Sequence, residues 1–287
     1  TVSETIGTPT GQAVTVGTAG GQIAVGLSSD NPSAALMAAG TEMILASFIF
    51  LATSTEDVEL DYLYLTQVET NTNSSSYKDY DEIWFVNEAG VEVTGTRMSP
   101  TSTKPKIDFA DGTAGAFVIP ADDSDGVNLY LKAKLATIGT GNNGVAAHTL
   151  GYKIAAAASD VVAKGKQSGA ATLEFAGAVA PTGLSHYVYK GYPKFEKLAL
   201  SANGDVNANK LSNGTKDLFR FKVTAVNSDI ALWKFNFDIS TTVAVVSNLY
   251  VYDVTDPSND LVLNATAGNA DTKVWETVGS DWTGSGI

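Results

Sequence analysis

Val58-Glu59-Leu60-Asp61-Tyr62-Leu63-Tyr64-Leu65 decides the fold class. Apolar and polar residues alternate along much of it, the period of a strand with one buried face. Just upstream, Ser47-Phe48-Ile49-Phe50-Leu51-Ala52-Thr53 is an apolar run of strand length. Downstream come Ile83-Trp84-Phe85-Val86, then Val91-Glu92-Val93 after a turn at Glu88-Ala89-Gly90. Ala116-Phe117-Val118-Ile119 ends at Pro120, Val127 to Ala133 alternates again, and Thr149 to Ile154 closes the series. Turn residues recur about every 8–15 positions, the spacing of a sandwich or barrel. The chain is predicted to be all-β.

The pattern occurs twice. Phe48-Ile-Phe50 aligns with Phe219-Arg-Phe221, Val58-Glu-Leu60 with Ile230-Ala-Leu232, and Leu63-Tyr-Leu65 with Phe235-Asn-Phe237. Ile83-Trp-Phe85 then matches Leu249-Tyr-Val251, and acidic turn residues follow each. The same order of strands repeated along one chain predicts two tandem β-sandwich domains. Domain 1 is expected over 29–165 and domain 2 over 186–287. The second is expected to hold strands at Phe195 to Leu200, Leu218 to Thr224, Ile230 to Ile239, Val243 to Val254 and Leu261 to Leu263. Between them 166–185 is punctuated by Gly169, Gly177 and Gly183 and reads as a linker.

Residues 1–28 read as an N-terminal strand arm. Gln12-Ala-Val14-Thr-Val16 and Gln22-Ile23-Ala-Val25-Gly-Leu27 alternate, separated by Gly17, Gly20 and Gly21. No Lys, Arg, Asp or Glu lies between Gln12 and Ser28. An uncharged alternating segment can add a strand to a sheet edge, its own or a neighbour's. Val14, Val16, Ile23, Val25 and Leu27 are the assembly residues of this reading, filling pockets at alternate positions.

The block Leu27-Ser28-Ser29-Asp30-Asn31-Pro32-Ser33 through Ala39-Gly40, with Phe48 to Thr53 and Glu56-Asp57-Val58, resembles a repeat of large secreted bacterial surface proteins. These are S-layer-like or filament-like proteins of the Patescibacteria type. The stretch Ala156 to Gly165, leading to Tyr187-Val-Tyr189-Lys190, is similar to their interdomain segment. The resemblance spans about residues 25–265 and implies Ig-like or jelly-roll sandwiches and a structural role. It carries no functional residues over.

Composition narrows the function. Of 287 residues, 44% are hydrophobic and 17% charged, so Thr, Ser, Asn and Gly must supply much of the polar surface. That surface suits strands and turns better than helices. A net charge of −13 repels phosphate backbones and argues against nucleic acid. Without cysteine, disulfides, thiolate metal sites and cysteine nucleophiles are excluded. The opening Thr1-Val2-Ser3-Glu4 has the form of a mature, processed N-terminus, and the Gly-rich stretch from Gly268 to Ile287 that of a chain continuing in a longer protein. The longest apolar stretch, Ala34 to Ala52, is interrupted by Gly40, Thr41 and Glu42, so no membrane span is expected. The expected location is extracellular, at a cell surface.

Catalytic patterns are weak. His148 and His186 stand alone, without metal-ligand spacing. Glu56-Asp57, Asp79-Asp81-Glu82 and Asp122-Asp123-Asp125 are the paired carboxylates a glycosidase would need, but each sits in turn-like sequence. No enzyme is predicted. Calcium is the more credible chemistry, because short acidic loops between strands supply the oxygens it prefers. Asp122, Asp123 and Asp125 before Gly126 form one such loop, and Asp256 and Asp260 flank Ser258 in another. Tyr62 and Tyr64 share a strand face, and Tyr77 and Tyr80 flank an acidic loop, so stacking on sugars is a second option. Asn73-Ser-Ser75, Asn213-Gly-Thr215 and Asn264-Ala-Thr266 match the N-glycosylation pattern.

Three functions follow: a structural subunit of a surface layer or filament that self-associates through β-strands, an adhesin or carbohydrate-binding module, and a glycan-active enzyme. The first is favoured by the repeat and the weakness of catalytic patterns. For calcium, a chelator should lower the melting temperature if the acidic loops hold ions, since a ligand bound to the native state stabilises it. A melting curve unmoved by chelator leaves these loops as plain turns.

Overall fold

The computed structural model describes residues 22–52, 56–68, 76–109, 117–121, 125–154, 160–169, 174–175, 180–200, 214, 217–232, 234–237, 252–254, 256–260, 276–278 and 281–285. The chain divides into two compact units, Thr1–Lys190 and Gly191–Ile287. It is all-β. The helical structure among the described residues is one short 3-10 turn, Ser76–Asp79.

The first unit holds β1 (Gln22–Leu27), β2 (Leu36–Ala38), β3 (Glu42–Ala52), β4 (Val58–Gln67), β5 (Tyr80–Val86), β6 (Lys106–Asp108) and β7 (Phe117–Ile119). It continues with β8 (Val127–Leu135), β9 (Thr149–Leu150), β10 (Tyr152–Ile154), β11 (Val161–Gly165), β12 (Glu174–Phe175) and β13 (His186–Tyr189). One sheet runs β12-β1-β3-β8-β5. A second is built on β4, which pairs with β6, β7, β10 and β11. A small third sheet runs β2-β13-β9.

β4 shows how alternation becomes architecture. Val58, Leu60, Leu63 and Leu65 are fully buried, and the residues between them are half-exposed. The alternation slips one place at Asp61-Tyr62. There β11 shifts register, with Val162 opposite Tyr62 but Ala163 opposite Leu60, so Asp61 is the extra residue of a β-bulge. The bulge returns Leu63 to the inner face. Leu63 faces Val161 and also Ile107, so β11 and β6 flank β4 on opposite edges.

The inner faces of the two larger sheets form one core. Ile23, Val25, Phe48, Phe50, Phe85, Leu129 and Leu131 come from the first sheet. Val58, Leu60, Leu63, Leu65, Ile107, Ile119 and Ile154 come from the second. Aromatic rings run through it: Phe48 packs on Phe85, Phe85 on Phe109, and Phe109 on Phe117, with centroids 5.6–6.3 Å apart. This is the sandwich-like layering the sequence predicts.

Some elements differ from expectation. β2 and β6 are three-residue strands with no period to read. Thr149 to Ile154 splits into β9 and β10 around Gly151. Val91-Glu92-Val93 forms no strand and keeps one bridge, Glu92 to Val86. The stretch 166–185, expected as a linker, docks on the first unit wherever it is described. β12 pairs parallel with β1, Thr182 bridges Lys153, and the Gly183 N–H donates to Tyr152 O at 3.0 Å. The division falls after Lys190, and β13 belongs to the first unit.

The second unit holds β14 (Tyr192–Leu198), β15 (Arg220–Val226), β16 (Lys234–Phe237), β17 (Tyr252–Asp253), β18 (Asp256–Asp260), β19 (Glu276–Val278) and β20 (Asp281–Ser285). β14 pairs antiparallel with β15, β17 pairs with β18, and β16, β20 and β19 form a sheet. The aligned motifs keep one common feature. The strand carrying Phe48 and Phe50 pairs antiparallel with β1, and the strand carrying Phe221 pairs antiparallel with β14.

Gly126, at the entry to β8, has φ +67°, and a Cβ there would lie 2.9 Å from both Leu51 Cγ and Phe50 O. Gly126→Ala should therefore destabilise the first unit by more than the about 1–2 kcal/mol of left-handed backbone alone. Thermal or denaturant unfolding measures it, and an unchanged midpoint would show that this turn relaxes freely.

Candidate functional site

The sheet edges are the chemically distinctive part of the first unit, because an edge presents unpaired main-chain groups. The β5 edge is covered. Ile83 and Met98 exchange N–H···O bonds of 2.8 and 2.9 Å, and the Val93 N–H donates to Phe85 O at 3.0 Å. Arg97 locks this cover down. Its guanidinium lies 3.9 Å from the ring of buried Trp84, donates to Glu92 Oε1 at 2.9 Å, and reaches Glu42 at 3.0 Å and Glu82 at 3.6 Å.

At the opposite edge lies β12, with β1 beside it. The register of β1 with β3 runs from Ile23 opposite Ala52 to Leu27 opposite Phe48. The Ser28 N–H donates to Ser47 O at 3.0 Å, so even-numbered positions turn their main-chain groups toward β3. Ile23, Val25 and Leu27 turn theirs away. β12 flanks β1 only at Gln22 and Ile23. Beyond that, no described strand lies beside Val25 and Leu27.

The expected assembly residues are placed accordingly. Ile23 and Val25 bury their side chains in the first unit's core, and Leu27 is 40% exposed. Val14 and Val16 lie outside the described residues.

Of the calcium candidates, Asp122 and Asp123 lie outside the described residues. Asp125 is exposed, just before Gly126. Asp256 and Asp260, expected in a loop, bound strand β18, where Asp256 pairs with Asp253 and Asp260 with Tyr252. Among the described residues no group of three His, Asp or Glu side chains is arranged to hold a metal ion. The three glycosylation asparagines also lie outside the described residues.

The carboxylate pairs are tied to their own chain. Glu56 accepts from the Gln167 N–H, the Ser168 N–H and the Ser168 hydroxyl at 3.0, 2.9 and 2.7 Å. The Ser168 bonds hold its carboxyl below the usual range. Asp57 accepts from the Ala121 N–H at 2.9 Å. Asp79, read from sequence as a turn residue, is 2% exposed; it bonds His148 Nδ1 at 2.6 Å and accepts from the Val145 N–H at 2.8 Å.

His186 is fully buried. Its Nδ1 accepts from the Ala35 N–H at 3.2 Å, and its Nε2 donates to Leu45 O at 2.9 Å. Both bonds need the neutral Nε2-protonated tautomer, and burial pushes the pKa down. The histidine fastens β13 to the segments around β2 and β3.

Tyr62 and Tyr64 do share the outer face of β4, with rings 5.8 Å apart edge to face. Lys106 lies 4.1 Å over Tyr62 and Lys104 5.3 Å over Tyr64. Both lysines are paired, Lys106 with Asp108 and Lys104 with Asp160, each at 2.6 Å. Stacking on a sugar needs an open ring face, and the lysines occupy these. Tyr80 is buried against Tyr152, with ring centroids 5.1 Å apart.

Among the described residues no helix is long and apolar enough to cross a membrane. No protein-family model matches the chain, and no curated protein does.

The buried histidine sets a pH dependence. Above pH about 6.5, the ordinary histidine value, both folded and unfolded chains leave residue 186 neutral. Below it the unfolded chain binds a proton that folded His186 refuses. Stability therefore falls by up to about 1.4 kcal/mol per pH unit until the lowered folded value is reached. Glu42 and Glu56 act in a lower window. Their folded values are depressed by hydrogen bonds from Arg97 and Ser168, respectively, so their stabilisation holds above about 4.5 and is lost as pH falls further. His186→Gln should flatten the melting-temperature profile between pH 6.5 and 5 relative to wild type. Parallel profiles would show that His186 is protonated in the folded state.

Proposed function

We propose that this chain is an extracellular structural subunit of a cell-surface layer or filament, joined to its neighbours by β-strand contacts. In this reading it comprises two tandem Ig-like or jelly-roll sandwiches, as the repeated strand order and the resemblance to bacterial surface repeats suggest. The observation that carries the proposal is the uncharged, alternating stretch from Gln12 to Leu27, of the form that adds a strand to a sheet edge. The low charge density of the chain favours close subunit packing, and its net −13 keeps unassembled chains apart and soluble.

The adhesin alternative draws on Tyr62 and Tyr64 and has less support, because lysines cover their rings. Calcium bound by Asp122, Asp123, Asp125, Asp256 and Asp260 remains a proposal, tested by chelation as above.

Sedimentation velocity and negative-stain electron microscopy of the full chain test assembly directly. The full chain should form polymers or sheets. A chain lacking residues 1–20 should stay folded, with an unchanged melting temperature, and sediment as a monomer. The deletion must stop before Gln22, because Ile23 and Val25 are core residues. A full chain that stays monomeric at high concentration overturns the proposal.

A further inference from the structure

His186 has bonding partners for one ring proton and not for two. Its Nε2–H is spent on Leu45 O, and its Nδ1 accepts the Ala35 N–H. A second proton, on Nδ1, would set two donors against each other around a fully buried side chain. The cation needs that contact to open. We propose that the third sheet, β2-β13-β9, is an acid-sensitive switch: proton uptake by His186 parts β13 from β2 and β9 while the two larger sheets stay closed. The inference does not depend on assembly.

The Ala35 contact also begins the β2–β13 ladder. The Tyr187 N–H donates to Ala35 O at 3.0 Å, so Ala35 bonds both the ring and the strand that follows it. From there Tyr187, Val188 and Tyr189 lie beside Leu36, Met37 and Ala38. Turning the ring away from Ala35 disturbs the first bond of that ladder.

Size decides which part opens. Proton uptake favours every state that exposes the ring by the same amount, whether one sheet parts or the whole unit unfolds. The opening that breaks least structure is then populated first. β2, β13 and β9 are three, four and two residues long, against eleven for β3 and ten for β4. Opening β13 frees the chain ahead of Gly191, which at neutral pH is docked.

The ring's immediate partners are uncharged: Ala35 before β2, Leu45 of β3 and Leu150 of β9. Several titratable or charged groups belong to the same elements. Tyr187 and Tyr189 alternate with His186 and take the other face of β13, and Lys190 follows the strand. His148 precedes β9 and is held by Asp79, and Glu42 opens β3 and is held by Arg97. Main-chain groups occupy both nitrogens of the His186 ring, and burial is what holds its pKa down.

Hydrogen exchange of the full chain, read by mass spectrometry, tests this, with labelling times scaled for the intrinsic rate. From pH 7.5 to pH 5.0, segments 34–39 and 184–190 should lose up to about thirtyfold in protection, the factor by which an ordinary histidine value of about 6.5 favours the exposed, protonated ring. Segments 58–67 and 127–135 should keep theirs. His186→Gln keeps an acceptor and a donor but takes no proton, so its 184–190 protection should be equal at both pH values.

Unchanged wild-type protection of 184–190 at pH 5.0 overturns the switch. Equal loss in 58–67 and 127–135 overturns its confinement to the third sheet. The wild-type pattern decides both points even if His186→Gln fails to fold. A folded His186→Gln that still loses protection in acid overturns His186 as the sensor and points to the Asp79–His148 pair.

Discussion

The first unit depends on β4 being paired along both edges. β7 and β6 follow one another down one side, and β11 and β10 down the other. A strand saturated in this way cannot slide, so its inner face is fixed by sequence alone. Val58, Leu60, Leu63 and Leu65 then set where the opposing sheet must lay Phe48, Phe50, Leu129 and Leu131. A one-residue slip would turn those leucines outward and the tyrosines inward. The bulge at Asp61 prevents this by absorbing the one place where the alternation changes phase.

That arrangement explains what the sequence could show. β1, β4 and β8 are legible because each is long enough to display its period: β8 buries alternate residues as read, β4 does so on either side of its bulge, and β1 buries Ile23 and Val25 but leaves Leu27 exposed. β2 and β6 are not, because three residues carry no period and their place is set by neighbours. β13 is visible as a strand but not as a member of the first unit, since alternation reports a buried face and says nothing of which sheet buries it. Asp256–Asp260 is rich in Asp, Pro, Ser and Asn, which favour turns, yet pairing with Tyr252 and Asp253 makes it a strand.

The site was legible in the same uneven way. The arm's lack of charge between Gln12 and Ser28 is plain in the sequence, and so is its alternation. That Ile23 and Val25 bury their side chains in this chain's own core is not, because it depends on β1 pairing with β3. The Asp79–His148 pair is invisible for a related reason. No spacing rule joins two groups brought together only when the 145–148 loop folds against the end of the 3-10 turn. The role of Arg97 is hidden too, since its ring partner Trp84 and its three glutamates come from separate segments.

The third sheet has a mechanical consequence. The chain leaves the first unit through β13, which lies parallel to β2 and antiparallel to β9, with His186 fastened at its start. Tension drawn along β13 toward Gly191 loads those hydrogen bonds lengthwise and together, instead of peeling them one at a time. In a chain under traction the exit strand would act as a shear clamp. The imidazole at its root would set how much force the first unit bears before it opens.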